Sequence, residues 1–225
     1  MTQIKWIAHA TFEILTEDHV TLIIDPWYSD SPVTHAEPPK HVDFVLVTHD
    51  HWDHVKDVSR IAKLGAKVMM QPETGARFIA EEGINESQIL RMNVGGTAHL
   101  ADGLAVTMIP AIHSSRTGLA VGYILHTGNT TIAHLGDTAL FQDLHNYGLL
   151  YPVDIALVPI GGYFTMDNKM AAKAVGLLEP KIAVPMHYGT FPLLTQSPDA
   201  FAQLVEDENP GIDVWTPSPG ESRAF

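Results

Sequence analysis

The segment that decides the fold is dense in metal-ligand side chains: Thr48-His49-Asp50-His51-Trp52-Asp53-His54. The apolar run before it, residues 44–47, is typical of a strand buried on both faces. In extended backbone, alternate side chains share one side, whereas a helix brings together only residues three or four apart. The segment therefore predicts a loop at a strand's C-terminal end that turns four ligand-type side chains toward one point, namely His49, His51, Asp53 and His54.

Strand and helix patterns alternate on either side of this segment. Short β-branched runs at 4–6, 11–15 and 21–24 predict a β-meander. After a helix at 55–64 that Gly65 ends, the pattern predicts strands at 67–70, 89–92, 104–109, 120–125, 130–135, 155–158, 182–184 and 213–215, and helices at 73–82, 168–178 and 197–208. No linker divides the chain. We expect one α/β domain over residues 1–225, weakly duplicated, with two stacked sheets and helices outside.

Composition limits the classes of function. The chain has 225 residues, 45% of them hydrophobic, which is enough for a packed core. A net charge of −13 disfavours nucleic acid and anionic lipid as partners. Cysteine is absent, so metal ligands must be His, Asp or Glu. Neither a secretion signal nor a membrane-spanning segment is visible, and we expect a soluble cytoplasmic protein that does not bind membranes.

The histidine-rich segment resembles the signature of the metallo-β-lactamase superfamily. That superfamily has three further ligands after later strands, and this chain has matching strings at Pro110-Ala111-Ile112-His113, Gly136-Asp137-Thr138 and Met186-His187-Tyr188-Gly189. The resemblance implies a four-layer αββα sandwich with two mixed sheets. Further strings are similar to a group of small bacterial and archaeal metal-dependent hydrolases of unassigned substrate, among them Pro159-Ile160-Gly161-Gly162 and Phe164-Thr165-Met166.

The resemblance also implies which residues hold metal. One ion would be bound by His49, His51 and His113, and a second by Asp53, His54 and His187, with Asp137 as a bridging carboxylate. Imidazoles and carboxylates suit two divalent ions, Zn²⁺ or Mn²⁺ first, with Fe²⁺ or Ni²⁺ also compatible. Asp25 would support the metal loop without binding metal.

His9 is a second candidate catalytic residue beside Asp137. It lies in Trp6-Ile7-Ala8-His9-Ala10-Thr11, which resembles the Trp-x-Gly-His-Ala-Thr opening of the L-ascorbate-6-phosphate lactonase-like and N-acyl-phosphatidylethanolamine phospholipase D-like proteins. In that subgroup the histidine faces the active site, which predicts a proton donor to the leaving group. The chain departs by having Ala8 where the subgroup has Gly, and a purely structural histidine is the competing interpretation.

Substrate contacts are expected from loop residues. Arg116 could receive a phosphate or carboxylate through its guanidinium, and a solvated loop charge is the alternative. Tyr163, Phe164 and Trp27 could form an apolar wall, although such residues more often serve packing.

The sequence therefore predicts a metal-dependent hydrolase in which a metal-bridging hydroxide attacks a small ester, lactone or phosphodiester. Two alternatives stay open: a ribonuclease or phosphodiesterase of the same fold, and a non-catalytic metal-binding module. The partner expected is a small-molecule substrate, and a homo-oligomer is compatible with the sequence.

Overall fold

The computed structural model describes all 225 residues. Fourteen strands form two seven-stranded sheets. The strands are β1 Gln3–Ala8, β2 Thr11–Leu15, β3 Thr21–Ile24, β4 Phe44–Leu46, β5 Lys67–Met70, β6 Ile89–Arg91, β7 Thr97–Ala101, β8 Leu104–Pro110, β9 Val121–Thr127, β10 Thr130–His134, β11 Ile155–Pro159, β12 Ile182–Met186, β13 Asp213–Val214 and β14 Ser222–Ala224. The helices are α1 Trp52–Val55, α2 Val58–Ala62, α3 Pro72–Glu82, α4 Leu144–Leu150, α5 Asn168–Leu178 and α6 Asp199–Glu208, with a 3₁₀ turn at Glu86–Gln88.

The two sheets share one pattern of pairing. The first has the order β14-β1-β2-β3-β4-β5-β6 and the second the order β13-β12-β11-β10-β9-β8-β7. In the first sheet the pairs from β14 to β3 are antiparallel and those from β3 to β6 are parallel. In the second sheet the pairs from β13 to β10 are parallel and those from β10 to β7 antiparallel. Both sheets are mixed, as expected, and the repeated pattern agrees with the weak duplication inferred from sequence.

Apolar side chains hold the layers together in two clusters. The larger one contains 41 buried residues and joins the facing sides of the two sheets and helices α4, α5 and α6. The smaller one contains 15 and joins the first sheet to α2 and α3. In β4, Phe44 and Leu46 belong to the larger cluster and Val45 to the smaller, so this strand is buried on both faces. The αββα sandwich expected from sequence is confirmed.

The helix predicted at 55–64 is two short helices. Asp57 separates α1 from α2, and its backbone N–H donates to Pro26 O at 3.1 Å instead of to a carbonyl four residues earlier. Its carboxylate accepts from Tyr28 N and Ser29 N, both at 2.8 Å. These bonds to the loop after β3 stabilise the break, because they give the backbone partners outside the helix.

The sequence prediction omitted three elements: β7, α4 and β14. Only Leu144 of α4 is buried, and β14 is exposed along its whole length and pairs with β1 at the sheet edge. These elements have few buried side chains, so their sequences lack the hydrophobic periodicity that would predict them. None of the helices is long and apolar enough to cross a lipid bilayer.

Gly136, which follows β10, allows the chain to pass close to Val121 and Thr48. Its φ is +63°, and a Cβ there would lie 2.3 Å from Val121 O and 3.2 Å from the Cβ of Thr48. A side chain cannot fit between these strands without moving backbone. Gly136 therefore brings its neighbour Asp137 close to the histidine-rich loop.

We expect Gly136→Ala to lower the free energy of unfolding by about 3 kcal/mol or more, because both left-handed backbone and overpacking act there. Gly83→Ala is the matched control: its φ is +69° but no atom lies within 4 Å of the added Cβ, so it should lose only about 1 kcal/mol. Urea denaturation of the metal-free proteins measures both. Equal losses would show that the close approach at Gly136 is unimportant.

Candidate metal centre

Ligand-type side chains from both sheets meet at one edge of the sandwich. His49 follows β4, His113 follows β8, Asp137 follows β10 and His187 follows β12. A backbone hydrogen bond joins the two sheets at this edge: the N–H of Val121, at the start of β9, donates to Thr48 O, just after β4, at 2.9 Å. This is the edge at which ligands bind in many open α/β sheets.

The first group consists of His49, His51 and His113. One ring nitrogen from each lies within 4.8 Å of the others. The closest pair is His49 Nε2 and His51 Nδ1, 3.0 Å apart. Three imidazoles that converge in this way match a three-histidine site for a divalent transition metal.

The second group consists of Asp53, His54 and His187, with His9 beside them. His54 is fully buried, and its Nδ1 lies 2.7 Å from Asp25 Oδ2. Asp25 also accepts from Thr48 N at 2.8 Å and from Thr48 Oγ1 at 2.6 Å. These contacts hold Nδ1 of His54 and leave its Nε2 directed at Asp137. Asp25 therefore lies where a residue that supports a metal ligand is expected.

Asp137 lies between the two groups. Its Oδ2 is 3.0 Å from His187 Nε2, 3.5 Å from the Nε2 atoms of His54 and His113, and 4.0 Å from His49 Nε2. One carboxylate therefore reaches histidines of both groups. The residue is 2% exposed, so this charge is withdrawn from water.

The residues fit divalent cations on two counts. His54 Nε2, Asp137 Oδ1 and His187 Nδ1 are buried and have no hydrogen-bond partner. A buried polar atom left unpaired costs about 1–3 kcal/mol of stability. Coordination of a metal by His54 Nε2 and Asp137 Oδ1 would recover this cost at both atoms. The donor set of imidazoles and carboxylates is also the one that Zn²⁺ and Mn²⁺ accept.

The protonation states favour a cation. Burial by itself would raise the pKa of Asp137, but His187 and His54 outweigh it and hold that pKa well below its usual value. Burial, followed by the charge of His54, holds the pKa of His49 well below its usual value. For His54, Asp137 and Asp25 outweigh burial and raise its pKa well above normal. The shifts at Asp137 and His54 both reflect a buried carboxylate that needs positive charge beside it.

His9 is buried behind Asp53 and is not part of the cavity wall. Its Nε2 lies 3.2 Å from Asp53 Oδ2, and its Nδ1 lies 2.7 Å from Thr190 Oγ1. Burial and the neighbouring His187 lower the pKa of His9 to about 3. The structure therefore places both ring nitrogens against protein groups, which suits the orientation of Asp53 better than contact with a leaving group.

Asp50, inside the histidine-rich segment, anchors the loop that carries His113. Its Oδ1 accepts from Arg116 N at 2.7 Å and Thr117 N at 3.1 Å, and its Oδ2 from Thr117 Oγ1 at 2.6 Å. Arg77 Nε lies 3.2 Å from the same carboxylate. Burial would raise the pKa of Asp50, but the bonds from Thr117 and Ser115 outweigh it and lower that pKa. Sequence reasoning missed this role, because no spacing rule separates an anchoring aspartate from a ligand.

A cavity of about 570 Å³ opens beside the two groups, and its wall includes His51, His113 and Asp137. Of the predicted substrate contacts, only Phe164 lies on it. Arg116 is 62% exposed and pairs with Glu81 at 3.3 Å, because Asp50 fixes its backbone with the side chain turned toward α3. Tyr163 packs on Phe164 outside the wall, and Trp27 is buried.

Comparisons with known proteins agree with this geometry. A family model described as a β-lactamase superfamily domain matches residues 3–187. The chain is 43% identical to a UPF0173 metal-dependent hydrolase of Caldivirga maquilingensis, over 98% of this chain and 97% of that protein. It is 45% identical to one from Pyrobaculum calidifontis, over 97% and 98% respectively.

A solved structure shows the same similarity. Igni18, described as a novel metallo hydrolase from Ignicoccus hospitalis, superimposes with a TM-score of 0.90 at 34% identity and full coverage of both chains. Relatives described as metal-dependent hydrolases therefore match the chain over nearly its whole length.

We expect Asp50→Ala to lower the free energy of unfolding by about 3 kcal/mol, since it removes the buried partner of Arg77 and leaves the amides of the His113 loop without their acceptor. Glu81→Ala is the control, because it removes an exposed partner of the same Arg77 and should change stability by less than about 0.5 kcal/mol. Denaturant unfolding without metal compares the two. A similar small loss in both would contradict an anchoring role for Asp50.

Proposed function

The chain belongs to the metallo-β-lactamase superfamily and is a metal-dependent hydrolase, and from this premise we propose that it holds two divalent ions and hydrolyses a small ester, lactone or phosphodiester. The observation that carries the proposal is the position of Asp137, whose Oδ2 lies within 4.0 Å of ring nitrogens from both histidine groups. A carboxylate in that place is suited to bridge two ions.

The proposed ligands are divided between the two groups. His49, His51 and His113 would hold one ion, and Asp53, His54 and His187 the other, with Asp137 shared. When bound, such ions would lower the pKa of bound water toward about 7, so that hydroxide would be available at neutral pH, and would polarise the scissile group.

The chain's own residues orient this chemistry. Asp25 holds His54 by its Nδ1, His9 contacts Asp53, and Asp50 secures the loop of His113. The cavity reaches Asp137 and His187 from solvent, so a substrate there would meet the proposed metal ligands directly. Preorganised ligands lower the reorganisation needed during the reaction.

The proposed substrate is a small molecule. No Lys or Arg lies on the cavity wall, and the net charge of −13 repels a polyanion. Nothing in the structure therefore favours a ribonuclease. For the ions we propose Zn²⁺ or Mn²⁺, because five imidazoles and two carboxylates suit either.

The central test is metal content with one ligand removed from each group. We expect about two ions per chain in the native protein, and about one in His113→Ala and in His187→Ala, because each variant weakens one group. Hydrolysis of p-nitrophenyl phosphodiesters and simple lactones should fall by about a thousandfold or more in Asp137→Ala.

His35→Ala is the control, since His35 is an exposed histidine outside both groups. It should keep both ions and full activity. One bound ion or fewer in the native protein after addition of Zn²⁺ or Mn²⁺ would contradict the proposal.

The role of His9 can be tested by the pH dependence of the rate. His9→Asn keeps a residue that tolerates the φ of +54° found there but removes the imidazole. If His9 orients Asp53, the variant should bind the second ion about tenfold to a hundredfold more weakly, with an unchanged pH profile once saturated with metal. If His9 is the proton donor, the fall in rate at high pH comes from its deprotonation. Loss of that fall in His9→Asn would therefore identify His9 as the proton donor.

A further inference from the structure

The cavity beside the proposed metal ligands has an apolar rim built from three separate segments. Trp52 begins α1, Phe164 lies in the loop after β11, and Phe191 and Leu193 lie in the loop after β12. Trp52, Phe164 and Leu193 are 57%, 50% and 62% exposed. Single exposed apolar residues are ordinary on a protein surface, but their convergence around one reactive cavity indicates a binding surface.

The rim is supported from below. Trp27, which is buried, lies 5.0 Å from Trp52 and 5.7 Å from Phe191 between ring centroids. Tyr163, itself exposed, packs edge-on against Phe164 with centroids 4.9 Å apart. Contact with buried Trp27 holds Trp52 and Phe191, so these two rings offer contact area with little further loss of conformational freedom on binding.

Charge around the cavity is limited to the proposed metal ligands. The wall contains neither Lys nor Arg. The two nearby arginines are occupied, Arg77 by Asp50 and Arg116 by Glu81. A charged group on the part of a substrate that rests against the rim would therefore lose water without gaining a partner.

We propose that this rim selects substrates whose group next to the scissile bond is an uncharged alkyl or aryl group. The inference rests on the proposed hydrolase function and narrows it to neutral esters and lactones with an apolar acyl side. A small-molecule occupant is favoured over a protein partner because the apolar residues and the proposed ligands line the same cavity, whose volume of about 570 Å³ is ordinary for a small-molecule site.

A matched pair of esters tests the inference on the metal-loaded protein. Methyl hexanoate and monomethyl adipate have acyl chains of equal length, and only the second ends in a carboxylate. In each reaction the bond from acyl carbon to methoxy oxygen breaks, the oxygen of water bonds to that carbon, and methanol and the carboxylate are released with one proton. That proton can be titrated at constant pH. We expect kcat/KM for methyl hexanoate to exceed that for the adipate by about tenfold or more.

Variants locate the selectivity. Leu193→Ala and Phe164→Ala should each reduce the preference for methyl hexanoate over the adipate by about threefold to tenfold, because each removes apolar contact. Leu193→Lys should shift the preference toward the adipate. Leu150→Ala is the matched control: Leu150 is 68% exposed but lies on α4, away from the cavity, and the preference should not change.

A binding measurement separates failure of this inference from failure of the proposed function. Hexanamide and adipamate have the same acyl chains as the two esters. Their binding is followed by the change in tryptophan fluorescence, to which exposed Trp52 contributes. Tighter binding of hexanamide without hydrolysis of either ester would support the rim and contradict ester hydrolysis. Equal binding of the two amides or equal hydrolysis rates of the two esters would overturn the inference. So would a change of subunit association in Leu193→Ala, measured by sedimentation, because it would show that the rim is a contact between copies of the chain.

Discussion

A buried carboxylate surrounded by imidazoles is the constraint on which the site depends. Asp137 is almost inaccessible to water, yet the neighbouring His187 and His54 keep its pKa well below normal. A buried charge of this kind is tolerated only where opposite charge or metal compensates it. Three features place compensating groups beside Asp137: the close approach of the two sheets, the glycine before Asp137 and the strand ends that carry the histidines.

Three of the six non-glycine residues with positive φ lie at the same edge. His9, Asp25 and His187 have positive φ values of 54°, 47° and 59°. Left-handed backbone is unfavourable for residues with a side chain, and it persists where the surroundings fix it. Here His187 N donates to His9 O at 2.9 Å, and Asp25 N donates to Leu46 O at 3.0 Å. His9 and His187 therefore hold one another, and the end of β4 holds Asp25.

Three aspartates that are not proposed as ligands organise the loops. Asp25 orients His54, Asp50 secures the loop of His113, and Asp57 ties α2 to the loop after β3. Each carboxylate accepts from backbone or side-chain donors of a distant segment. Hydrogen bonds of this kind hold the loop residues in fixed positions, which the proposed site for two ions needs.

The sequence by itself determined the alternation of strands and helices and the histidine-rich loop, and its resemblance to the metallo-β-lactamase superfamily implied the four-layer sandwich and the later candidate ligands. The run 44–47, the spacing of His49 and His51 and the later histidines after strands are local patterns, and local periodicity dictates which side chains share a face. Only the tertiary structure decided that Asp50 is an anchor, that Arg116 turns toward Glu81, that His9 is buried behind Asp53 and that Trp52, Phe191 and Leu193 join Phe164 around one cavity. Those relations join segments far apart in the chain, and the conformations of the loops between strands set them, which no repeating pattern in the sequence encodes.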